Sequence, residues 1–274
     1  MSGYRLFFVC FFCLGYFYLL KASIPTSPYI CTVVQKQVTL GKYKGMKKGN
    51  ATIKIFEDKT LFSCNVYVVN SEKGVVVIDP GYYGDDLKQW LHSLGHVDAI
   101  LLTHGHCDHI RGLEPLKSDF PNAKIYASRK ESALLKDPNF VLGINLGVPD
   151  LVVKDDVIPL DEGNYKIVGY DVKPLYTPGH TLGGMSFIFH DENAMFCGDA
   201  LLHYAKVPLN RPTGSPVDFE HTLERFATLD VPDGMVVYPG HRESATIEQM
   251  RRDSPDMKEY YDTQTSNQHE NDRL

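Results

Sequence analysis

Apolar positions along the chain follow two rhythms. Thr52–Phe56, Asn65–Val69 and Val75–Ile78 are short runs of β-branched and aromatic residues, which predicts strands. Ser71-Glu72-Lys73-Gly74 joins the last two as a tight hairpin, and Asp79-Pro80-Gly81 stops the third. The rhythm then changes. Asp85–Leu94 places Leu87, Trp90, Leu91 and Leu94 on one helical face. A strand over Ala99–Leu102, a helix over Arg111–Phe120 and a strand over Lys124–Ala127 follow. The second half repeats the alternation. Asn164–Val168, Asp171–Tyr176, Met185–His190 and Asn193–Cys197 are expected strands. Pro216–Leu229 is a helix with Phe219, Leu223 and Phe226 on one stripe, Met235–Tyr238 a strand and Ser244–Asp253 a terminal helix. This order predicts an α/β chain whose two halves pack as a sandwich of two sheets with helices outside.

Asp137–Val153 fits neither rhythm. It mixes Pro138, Gly143, Gly147 and Pro149 with Phe140, Val141, Leu142, Ile144 and Leu146, and reads as a flap over a site or as ordinary loop packing. The expected organisation is a leader over 1–23, a leading segment over 24–50, one domain over 51–257 and a polar tail over 258–274. From Tyr260 onward the tail is expected to be disordered.

The N-terminus differs in kind. Arg5 precedes Leu6–Leu20, a run without charge, and Lys21 closes it. That pattern reads as a secretory signal. Small residues suited to cleavage are missing, so an uncleaved signal anchor stands beside it. The run is short against the ~20 apolar residues that span a bilayer, which favours cleavage. The expected localisation is therefore the secretory pathway, either secreted or membrane-attached through this segment, with the catalytic domain lumenal or extracellular. Asn50-Ala51-Thr52 is then a usable glycosylation sequon, with Asn50 as its acceptor, after the Lys- and Gly-rich stretch Gly41–Asn50.

With 274 residues and 43% hydrophobic content, the chain can bury a sizeable core. Its 28 basic and 34 acidic residues give a net charge of −6, and no basic run stands out. That excludes nucleic acid as the main partner and leaves a small-molecule substrate. Oligomeric state is open. Cys31, Cys64, Cys107 and Cys197 lie outside the leader and are too dispersed for a disulfide scaffold. A Cys31–Cys64 bridge and buried thiols both fit. Cys107 alternates with His106 and Asp108 and is expected to point away from them.

The chemistry concentrates in Thr103-His104-Gly105-His106-Cys107-Asp108-His109, directly after the apolar run Ala99–Leu102. Imidazole is the commonest neutral ligand for borderline metals, and Asp adds an anionic oxygen. Side chains two apart at a strand's end point the same way, and the turn presents Asp108 and His109 to a neighbouring point. One segment can thus serve two cations. Three later segments each set a candidate ligand after an expected strand: His180 in Thr177-Pro178-Gly179-His180, Asp199 in Cys197-Gly198-Asp199, and His241 in Tyr238-Pro239-Gly240-His241. In each, a Gly precedes the ligand and frees the backbone.

These seven positions resemble the metallo-β-lactamase superfamily, whose motif is His-x-His-x-Asp-His followed by His, Asp and His at later strand ends. The resemblance covers roughly Thr52 to Pro255. It implies an αββα sandwich of two mixed sheets, with His104, His106 and His180 binding one metal, Asp108, His109 and His241 a second, and Asp199 bridging. It further implies a hydroxide shared by two divalent cations attacking a carbonyl, with Asp108 as a catalytic residue that orients it or carries a proton. Zinc is favoured, with iron or manganese as alternatives.

Within that family the chain looks like the glyoxalase II-like branch. The segments Asn65–Val69, Val77–Gly81, Gly198–Leu201 and Tyr238–His241 carry this likeness, together with Thr246-Ile247-Glu248 and Asp253-Ser254-Pro255. Thioester hydrolysis is the implied activity. Too little chain follows His241 for that branch's C-terminal helical domain, so the match is to compact single-domain members. Arg211 in Asn210-Arg211-Pro212 sits where related enzymes have a Gly-Arg-x-Asp turn, as a substrate-binding or a structural residue. A secreted lactonase, another esterase or a β-lactamase-like hydrolase is the runner-up. A mono-iron persulfide dioxygenase-like oxidoreductase uses a related scaffold. A non-catalytic binding module would have lost ligands, and none is lost.

Overall fold

The computed structural model describes residues 50–57 and 64–271, with side chains to 266. The leader and the other half of the Cys31–Cys64 pairing lie outside these residues. Two six-stranded mixed sheets face each other. The first comprises β1 (Thr52–Glu57), β2 (Asn65–Ser71), β3 (Gly74–Ile78), β4 (Ala99–Leu101), β5 (Lys124–Ser128) and β6 (Val157–Leu160), in spatial order of sequence. The second comprises β7 (Tyr165–Ile167), β8 (Tyr170–Tyr176), β9 (Met185–Phe189), β10 (Ala194–Gly198), β11 (Val236–Pro239) and β12 (Ala245–Thr246), again in sequence order. Helices α1 (Asp85–Leu94), α2 (Cys107–Ile110), α3 (Leu113–Asp119), α4 (Arg129–Ser132) and α5 (Pro138–Val141) belong to the first half. Helices α6 (Pro216–Thr228), α7 (Ile247–Asp253) and α8 (Pro255–Asn271) belong to the second.

The layering follows from the two-residue period of a strand. In β2, Tyr67 and Val69 join the core between the sheets with Val76, Ile78, Leu101, Phe187, Phe189, Phe196 and Tyr238. Val66 and Val68 face the other way, against Leu87, Leu91 and Leu116 of the covering helices. In the second sheet Ile188, Met195 and Val237 likewise pack on Phe219, Phe226, Ile247 and Met250. Both faces of the central strands are buried, which is why they read as unbroken apolar runs. Four layers, helix–sheet–sheet–helix, bear out the expected αββα sandwich.

Three local departures have physical causes. The helix expected over Arg111–Phe120 is the shorter α3, which begins after Gly112, and a separate short helix, α2, precedes it inside the ligand motif. Strand β6 was absent from the sequence reading. It is the edge of the first sheet, half exposed, and an edge tolerates Pro159. The tail expected to be disordered is α8. Pro255 opens it, Met257 is fully buried, and Tyr260 packs on the second half's outer core. The 137–153 stretch is also ordered, as α5 and a 3-10 turn over Gly143–Leu146.

Candidate metal centre

Every candidate ligand stands just past a strand's end, where a rigid sheet aims it. His104 follows β4, and His106 is the N-cap residue of α2, which carries Asp108 and His109. His180 follows β8, Asp199 follows β10 and His241 follows β11. The fold brings all seven side chains together. His104, His106 and His180 form one group whose ligand atoms lie within 4.8 Å of one another, and Asp108, His109 and His241 form another. His106 Nδ1 is 3.0 Å from His180 Nε2, and His241 Nε2 is 3.1 Å from Asp108 Oδ2. Asp199 lies between the groups, with Oδ2 3.6 Å from His180 Nε2 and Oδ1 3.6 Å from His109 Nε2.

The outer nitrogens fix which ring atoms face inward. His180 Nδ1 donates to Pro208 O at 2.7 Å, and His109 Nδ1 donates to Asp79 Oδ2 at 2.9 Å. His104 Nδ1 sits 3.2 Å from Thr103 Oγ1, whose proton goes to Asp79. Nε2 of each is thereby turned inward, and His104 and His180, which burial keeps neutral, present a lone pair there. His104 Nε2, His106 Nε2, His109 Nε2 and Asp199 Oδ1 are buried without a hydrogen-bond partner. A buried polar atom left unpaired costs about 1–3 kcal/mol. Unpaired nitrogens in both trios and an unpaired carboxylate oxygen between them fit divalent cations of the zinc, iron or manganese kind.

Charge agrees with that fit. Burial holds the imidazoles of His104 and His180 below the ordinary range and takes His106 down to about 3, so this trio is neutral. In the other trio, Asp199 raises His241. Burial alone would lower His109, but Cys64, Asp108 and Asp79 together raise it well above its usual value. Burial would raise Asp108 and Asp199, yet the surrounding histidines hold both below the carboxylate range. The carboxylates thus draw positive charge to the second trio.

Glycine before the ligands acts in two ways. Gly179 and Gly198 have positive φ, of 124° and 53°. Gly240 does not. There a Cβ would collide with Asp199 Oδ1 and His109 Cε1, so close approach is what excludes a side chain.

Several residues at the centre escaped the sequence reading. Asp79, assigned only to a strand stop, is buried at φ 48° and accepts Thr103 N–H at 2.7 Å besides His109. Asn65 and Tyr67 both donate to Pro239 O, which anchors the turn bearing His241. Glu131 is fully buried. Burial pushes its carboxyl up to about 7, while donors from Gly105, Thr181 and Gly183 oppose the rise. The signal that could have found Asp79 is its place: an acidic residue at the end of an all-apolar strand, beside the strand that delivers the motif.

The remaining candidates are placed as follows. Arg211 is exposed on a turn closed by Gly214 N–H to Arg211 O at 2.9 Å, with no hydrogen bond or ion pair to the ligand groups among the described residues. Cys107 is buried, its thiol pushed up to about 11 by burial, and belongs to the outer core of the first sheet. Cys64 is a buried thiol with Sγ 3.4 Å from Asp79 O. The 137–153 stretch touches the centre through Phe140, which is buried with its ring 5.8 Å from that of His106, while Ile144 and Val148 are exposed. Asn50 is exposed.

The profile of the metallo-β-lactamase superfamily matches residues 60–241. A probable metallo-hydrolase of Streptococcus pyogenes serotype M6 is 33% identical over 67% of this chain and 81% of its own length. The hydroxyacylglutathione hydrolase GloC of Haemophilus influenzae is 29% identical over 72% of this chain and 93% of its own. The crystal structure of BLEG-1 B3 metallo-β-lactamase superposes with a TM-score of 0.68 at 28% identity, covering 75% of this chain and 99% of that one.

These findings correct one expectation. The secretory or membrane-anchored localisation is withdrawn, and the run Leu6–Leu20 on which it rested lies outside the described residues. Among the described residues no helix is long and apolar enough to cross a membrane. The relatives include a hydroxyacylglutathione hydrolase, matched along nearly its whole length. An apolar run preceding a globular domain is weak ground for routing, because the same composition serves other ends.

Proposed function

The chain belongs to the metallo-β-lactamase superfamily, and from that membership we propose that it is a two-cation hydrolase of thioesters, of the glyoxalase II-like kind. His104, His106 and His180 would hold one cation, Asp108, His109 and His241 the other, and Asp199 would touch both. The observation that carries this is the Asp199 carboxylate, whose Oδ2 lies 3.6 Å from His180 Nε2 of one trio and whose Oδ1 lies 3.6 Å from His109 Nε2 of the other. When bound, two divalent cations lower the pKa of water and polarise the carbonyl to be attacked.

The protein's own groups supply the rest. Asp108 has 24% of its side chain exposed against 7% for Asp199, so it is the carboxylate open to substrate. Held ionised by His109 and His241, it orients the attacking water by accepting its hydrogen bond. His104, His106 and His180, kept neutral by burial, fix the geometry without adding charge. A thiolate leaving group, with a thiol pKa near ~8.5, departs without a neighbouring acid. The similarity to hydroxyacylglutathione hydrolase GloC supports this substrate class. A second reading, hydrolysis of a β-lactam or lactone, draws on the superposition with a B3 metallo-β-lactamase. Arg211 stays a candidate for gripping a substrate carboxylate, as a bidentate partner.

The test is turnover of S-lactoylglutathione, a γ-lactone and a β-lactam by protein loaded in turn with zinc, iron and manganese. Thioester cleavage exceeding both others is expected. A doubly loaded protein that leaves the thioester intact contradicts the proposal.

A further inference from the structure

Glu131 joins two loops that carry candidate ligands and touches none of those ligands. It lies at the C-terminal end of the first sheet, in α4, directly after β5. Its Oε1 accepts the backbone N–H of Gly105, between His104 and His106, at 2.9 Å. Its Oε2 accepts the hydroxyl of Thr181, next to His180, at 3.2 Å. Gly183 N–H also donates to this carboxylate. The Glu131 backbone is set in turn by Ser128, whose Oγ accepts Glu131 N–H at 3.0 Å and donates to Gly183 O. A Cβ on Gly183 would collide with Glu131 N, Glu131 Oε2 and Ser128 Oγ, so the loop is seated directly on this pair. Gly105 is pinned from the other side, because a Cβ there would strike Leu135 and Phe140.

His104 and His106 hang from the first sheet and His180 from the second, so their separation depends on something fixed to both. A buried carboxylate with both oxygens engaged by donors from the two loops meets that need. We propose that Glu131 is the positioning residue of the His104–His106–His180 trio, setting the distance between two imidazoles of one sheet and the third from the other. This rests on the reading of that trio as a cation site. An amide in its place keeps one acceptor oxygen and turns the other into a donor facing donors. One loop or the other is then released.

Cobalt(II) serves as the probe, since its visible absorption reports ligand geometry without turnover. Full-length wild type, Glu131→Gln and Thr181→Val are loaded with cobalt and titrated against a chelator. For Glu131→Gln the expected result is an altered cobalt spectrum and affinity at the trio lower by about 10-fold or more. The second cation's affinity should be unchanged. Thr181→Val, which removes one donor from one loop, should move the spectrum and affinity the same way by less. A folded Glu131→Gln with wild-type spectrum and affinity overturns the proposal. If Glu131→Gln does not fold, an unchanged Thr181→Val overturns it. Wild type that binds cobalt but cleaves no thioester sinks the substrate reading alone. Wild type that binds no cobalt sinks both.

Discussion

His109 donates its Nδ1 proton to Asp79 Oδ2 across 2.9 Å, and the same oxygen accepts the Thr103 hydroxyl. One buried carboxylate, outside both trios, thereby holds the His109 ring with Nε2 turned inward. Asp79→Asn should keep the fold and lower cation affinity at the Asp108–His109–His241 trio by about 10–100-fold. Chelator competition on the loaded variant checks this, and affinity within twofold of wild type would contradict it.

The two trios differ in charge, and that difference is measurable. Asp199 raises His241, and Cys64, Asp108 and Asp79 raise His109, so both hold protons to higher pH than the first trio does, and a cation must displace them. The other trio is neutral already. Filling both should release a measurable number of protons per chain near pH 7. Calorimetric titration in two buffers of different ionisation enthalpy reads this number. In His241→Ala the release should fall, and equal release from the variant would refute the assignment.

Acid should destabilise the metal-free protein through the first trio. His106 titrates at about 3 when folded, below its ordinary value of 6.5, so the unfolded chain binds more protons between those limits. Stability therefore falls as pH drops through that window. His106→Gln removes this contribution, and its melting temperature should decline less steeply from pH 7 to pH 4 than that of wild type. Parallel declines would count against it.

Much of the fold was legible, for a reason visible in β2 and β3. Strands buried on both faces leave few polar positions, so Asn65–Val69, apolar but for its first residue, and Val75–Ile78 announce themselves. The ligand-bearing segments were legible because His and Asp follow such runs. Asp79 and Glu131 were not. Each is a single acidic residue in a stretch that reads as a turn or a helix start, and only the tertiary fold shows its oxygens enclosed by donors. β6 was hidden by Pro159 and by its exposed positions. α8 was hidden by its polarity: Met257 is buried in its first turn, while most positions after it face solvent.

That first turn gives a stability test of the C-terminal helix. Met257→Ala should cost about 2–5 kcal/mol, as for other buried large-to-small changes. Thr265→Ala, at an exposed site of the same helix, should stay within about 0.5 kcal/mol. Urea unfolding of both variants distinguishes a docked helix from a loose tail, for which the two would be alike.

The central claim is that seven side chains hold two cations, and the metal content of the purified, reconstituted protein by elemental mass spectrometry tests it most directly. Two equivalents per chain are expected for wild type, and one for a Asp108→Ala, His241→Ala double variant. Saturation of wild type at one equivalent or none would contradict the account.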